Sequence, residues 1–75
     1  MMERDYMAMA TRAAEFLENE ATPENTASFV YNNRELMAQK LRLCVQNNAM
    51  GEKAQRLVNM VWHFSAPLAA ELEKG

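Results

Sequence analysis

A chain of 75 residues makes one domain at most, and one this short is marginally stable unless something besides its core supports it. A single cysteine excludes an internal disulfide, and two glycines exclude a Gly-rich phosphate loop. The net charge of −2 is unevenly spread: residues 1–26 carry six acids and two bases, and residues 34–56 carry five bases and two acids. The two segments therefore attract each other. Exposed ion pairs contribute only about 0–1 kcal/mol each, so their effect is mainly on pairing orientation.

The first helix is predicted over Glu3 to Glu20. Met2, Tyr6, Met9, Ala10, Ala13, Phe16 and Leu17 recur at the spacing of one buried helical face. Alanines along this stretch favour helix and allow a second helix to approach closely. Glu3 and Asp5 suit the positive end of the helix dipole. Glu18 and Glu20 oppose its negative end, and fraying is expected there. Ala21-Thr22-Pro23-Glu24-Asn25 then reads as a boundary. Thr22 caps and Pro23 takes the first helical position, so a second helix is expected from Pro23.

That second helix is the most apolar part of the chain. At about 100° per residue, Phe29, Leu36 and Leu43 fall on one line, and Val30, Met37 and Cys44 on another. The apolar arc is roughly twice that of an ordinary surface helix. Either the first and third helices cover both lines, or the line Phe29, Leu36, Leu43 is left as a binding surface. The expected helix runs to Asn48. The alternative is a break at Asn32-Asn33, where Asn32 and Glu35 resemble a capping pair. Asn47-Asn48-Ala49-Met50-Gly51 ends it, because Asn and Gly tolerate the left-handed conformation that closes a helix.

From Glu52 the third helix turns Ala54, Leu57, Val58, Val61 and Phe64 inward, with Leu68 and Leu72 continuing the line. Met60 and Trp62 flank this face, and Gln55, Arg56, Asn59 and His63 form the wet side. Ser65-Ala66-Pro67 should kink or interrupt it, since an interior proline removes a hydrogen bond and clashes with the preceding turn. Ser65 is the candidate cap for a restart. The expected fold is all-α: a small antiparallel bundle of three helices, with a short fourth if the chain restarts near Ser65.

Chemistry is sparse. Cys44 and His63, nineteen positions apart, are the only soft metal ligands, against the three or four of an ordinary zinc site. The Glu15–Glu18 pair lacks the imidazoles of a bundle-type di-metal centre. His63 has no orienting partner and no nucleophile in a recognised constellation. No catalytic residue, metal ligand or cofactor is expected, and the chain reads as a non-enzyme. Arg34, Lys40, Arg42, Lys53 and Arg56 raise the alternative of a small nucleic-acid-binding regulator. The overall negative charge counts against it. Glu3-Arg4-Asp5 with no apolar run after it is unlike a signal peptide, and the most apolar window, 57–72, is short for a membrane span and interrupted by polar residues, so a cytoplasmic setting is expected.

What remains is protein–protein interaction. Seven methionines is heavy usage for this length, and adaptable binding surfaces overuse this flexible side chain. The expected function is a helical interaction module, an adaptor, regulator or chaperone-like binder. It would act as a homodimer or as a subunit bound to a protein client. Candidate partner-binding residues are Phe29, Leu36, Met37, Leu43, Met60 and Trp62.

Overall fold

The computed structural model describes residues 5–74. It is all-α, with five helices among the described residues: α1 Tyr6–Asn19, α2 Ser28–Asn32, α3 Arg34–Gln46, α4 Glu52–His63 and α5 Ala66–Lys74. Met2 and Glu3, assigned to the first helix from sequence, lie outside the described residues. Asp5 starts α1 by accepting a hydrogen bond from the Ala8 amide through its carboxylate, 3.0 Å. The predicted inward face holds. Ala10, Ala13, Phe16 and Leu17 are buried together with Ala14. The alanines let α3 pack closely on α1, where Ala38 and Leu41 supply its buried face.

The second helix departs from expectation at its start. Thr22 does cap a turn: its Oγ1 accepts from the Asn25 amide at 3.1 Å, and the Asn25 Oδ1 accepts from the Thr22 amide at 2.8 Å. The turn does not propagate, because the next residues pair with another part of the chain. Thr26 forms an antiparallel bridge with Ser65; the Ala27 amide donates to the Phe64 carbonyl at 3.0 Å, and the Ala66 amide donates to the Asn25 carbonyl at 2.9 Å. The helix therefore opens at Ser28 rather than Pro23.

It also breaks where continuity was favoured. Asn33 closes α2 and opens α3 at φ −112°, ψ 15°. Its side-chain amide donates back to the Phe29 carbonyl at 2.7 Å, so it satisfies the end of α2 rather than capping α3. At the far end of α3 the left-handed expectation is met, with Asn48 at φ 51°.

The chain breaks again at Phe64-Ser65, giving two helices where a kink or restart was foreseen. Ser65 does not cap through its side chain. Its carbonyl accepts from the Ala69 amide, while its hydroxyl is buried with no hydrogen-bond partner among the described residues. The break takes α5 out of line with α4. Leu68 is fully buried, but Phe64 and Leu72, both assigned to the inward line, are 41% and 44% exposed. Arg12 ties α5 to α1 through Glu71, 2.6 Å, and also pairs with Glu20 at the end of its own helix.

Candidate docking face

α3 leaves one of its two apolar lines uncovered. Val30 is buried, and Met37 and Cys44 are half-buried. Phe29, Leu36 and Leu43 are 46%, 53% and 55% exposed. On a helical wheel Leu36 and Leu43 project roughly opposite the buried Ala38 and Leu41. The three residues do not form one strip, however. With the helix broken at Asn33, Phe29 lies against the C-terminal end of α4, where its ring meets that of Phe64 edge to face at 4.9 Å.

Leu36 forms the lip of a trough of about 500 Å³ between α3 and α4. Its α3 wall carries Asn33, Leu36, Met37, Lys40 and Cys44; its α4 wall carries Lys53, Ala54, Leu57 and Met60. The loop 47–51 joins the two walls, so Cys44 and Lys53 lie at the loop end and Asn33 and Met60 at the other. Met60 is one helical turn before Phe64, whose amide donates to the Met60 carbonyl at 3.0 Å. The trough thus runs from the Phe29–Phe64 pair toward the Cys44–Lys53 end. Leu43 is not among the residues lining it and borders a second groove of about 700 Å³ between α1 and α3, with Leu17 and Glu18 on the α1 side and Arg42 on the α3 side.

Of the six candidate residues, Leu36, Met37 and Met60 line the trough and Phe29 stands at its end. Leu43 is exposed elsewhere. Trp62, placed at the edge of the core from sequence, is only 6% exposed, and its indole Nε1–H donates to the Met9 carbonyl at 3.0 Å. It anchors α4 to α1. Sequence reasoning missed Phe64, because the periodicity of α4 put it on the inward line even with an interruption expected right after it. Lys40 and Lys53, singled out from sequence only as part of a basic group, are brought together on the two walls of the trough.

The basic residues of 34–56 are largely engaged within the chain. Arg42 pairs with Glu18 at 2.8 Å, Arg56 pairs with Glu52 at 2.6 Å, and Arg34 lies 4.0 Å over the Tyr31 ring while donating to the Tyr31 carbonyl. The hydrogen bond from Arg42 holds the Glu18 carboxyl below the usual carboxylate range, and that from Arg12 does the same for Glu20. Lys40 and Lys53 are exposed and form no ion pair among the described residues. No cluster of three or more potential metal ligands occurs among the described residues, and no helix there is long and apolar enough to cross a membrane. No protein-family model, curated protein or solved structure gives a significant match to this chain.

Proposed function

We propose that this chain is a small helical protein–protein interaction module that binds another polypeptide through the α3–α4 face. The observation that carries this reading is the apolar trough flanked by the exposed Phe29, Leu36 and Phe64, which the chain's own described helices leave open. Exposed apolar residues standing singly need no explanation, but here an exposed aromatic pair stands one helical turn beyond the Met60 end of a methionine-lined trough. Methionine walls let such a surface adapt to its occupant. An adaptor, regulator or chaperone-like role would use it in the same way. The nucleic-acid reading has less to work with, because three of its five cations are committed to Glu18, Glu52 and Tyr31.

The native mass of the full chain, alone and with proteins that copurify with it, tests this reading. We expect a particle heavier than 8.6 kDa. The Leu36→Asp/Phe64→Asp double variant should return to the monomer mass with its thermal midpoint little changed. A wild-type chain that stays monomeric, and holds nothing that the double variant loses, would overturn the proposal.

A further inference from the structure

We infer that the occupant of the trough is an amphipathic helix of another protein, apolar on the inserted face and carrying carboxylates beside its apolar anchors. This rests on the interaction reading above and names the partner's chemistry.

The inference starts from charge. The trough lining contains two ammonium groups, Lys40 and Lys53, and no carboxylate. Outside the trough Arg12, Arg42 and Arg56 each meet a glutamate, whereas Arg34 lies on Tyr31 and Lys74 at the end of α5 forms no ion pair among the described residues. The nearest acid in sequence to Lys53 is Glu52, and its carboxylate is bonded to Arg56 at 2.6 Å. The trough therefore presents apolar walls with uncompensated positive charge on them. An acidic, apolar helix complements both properties, and charge complementarity at such a rim governs encounter rate and choice of partner.

Shape agrees. Asn33 to Cys44, the two ends of the α3 wall, span about 16 Å at 1.5 Å per residue. A helix of three to four turns fits, with anchors at i, i+3 or i+4, and i+7. A second copy fits less well. Docked through the same face, it would set lysine-bearing walls against each other, and of the carboxylates beside the lining, Glu35 and Glu52, the second is already bonded to Arg56. The exposed apolar residue of α5, Leu72, does lie between Glu71 and Glu73, but it is a single anchor, and Glu71 is already bonded to Arg12.

Two synthetic helical peptides of about 15 residues test this. They share one leucine face, and one carries glutamates on its flanks where the other carries lysines. Fluorescence anisotropy with the full chain should show the glutamate peptide binding about tenfold tighter, with the gap narrowing as salt rises. Lys40→Glu/Lys53→Glu should reverse the order of the two peptides. Leu36→Asp, on the lip of the trough, should abolish both, with helicity checked by circular dichroism. Equal affinity for the two peptides, or no reversal in the lysine variant, would overturn the inference. If neither peptide binds while Leu36→Asp still breaks up a self-associated particle, a second copy fills the trough. The inference then fails and the interaction reading stands.

Discussion

At the scale of single residues, Ser65 and Lys53 both occupy positions at odds with local chemistry. A serine before a helix ordinarily stabilises by capping, and replacing it by alanine costs about 1 kcal/mol. Here the Ser65 hydroxyl is buried without a partner, and an unsatisfied buried group costs about 1–3 kcal/mol. Ser65→Ala should therefore raise the stability to urea, opposite in sign to loss of a cap; a lower midpoint would show that the hydroxyl is bonded in solution. Lys53 puts a cation in the first turn of α4, at the positive end of the helix dipole. Lys53→Glu should stabilise the free chain by about 0.3–1 kcal/mol while weakening any acidic partner. The carboxyls of Glu18 and Glu20 lie below their ordinary range because Arg42 and Arg12 donate to them. Their contribution to stability is complete above the ordinary carboxylate range and is lost as pH falls through the depressed values. An acid titration followed by circular dichroism should show this loss, and Arg42→Gln should reduce it.

At the scale of elements, periodicity was a good guide to burial inside each helix and a poor one across the joints. The α1 face, the left-handed stop at Asn48 and the burial of Val58 and Val61 come from residue spacing and turn chemistry, which are local, while Ala54 and Leu57, read as inward too, are half-buried on the trough wall. The breaks do not. Thr22-Pro23 reads as a helix start because the capping pair with Asn25 really forms; what stops the helix is backbone pairing to a segment 39 positions away, Thr26 to Ser65. Likewise Phe64 reads as core until the interruption after it turns its ring outward. Trp62 errs the other way, since nothing in its own helix reveals that the Met9 carbonyl waits for its indole N–H. Trp62→Ala should accordingly act on folding, costing about 3–5 kcal/mol in denaturant melts. Asn48 is the converse case, where the local rule suffices: Asn48→Val should cost about 1–2 kcal/mol through its positive φ, with no effect on binding.

At the scale of the whole molecule, core and docking face are built from neighbouring positions of the same helices. Val61 is fully buried and Met60 beside it lines the trough. Val61→Ala should thus lower the thermal midpoint, while Leu36→Asp should leave the midpoint nearly alone and remove association; a calorimetric scan paired with a native-mass measurement separates the two. That the chain is all-α was legible from its sequence, whereas whether both apolar lines would be covered was left open by it. Its actual shape was not, because the line bends at Asn33 and gains Phe64 from α4. The Thr26–Ser65 pairing gives this arrangement a kinetic signature. Two amide protons, on Ala27 and Ala66, are all that fasten the connector before α2 to the joint before α5 in this bridge, and the Phe29 and Phe64 rings sit directly beside it. Those two protons should exchange with deuterium together and faster than the amides of α1, reporting a local opening in which both rings part at once. An occupant wedged at that end would slow this exchange, so binding could be timed from two backbone sites that it never touches.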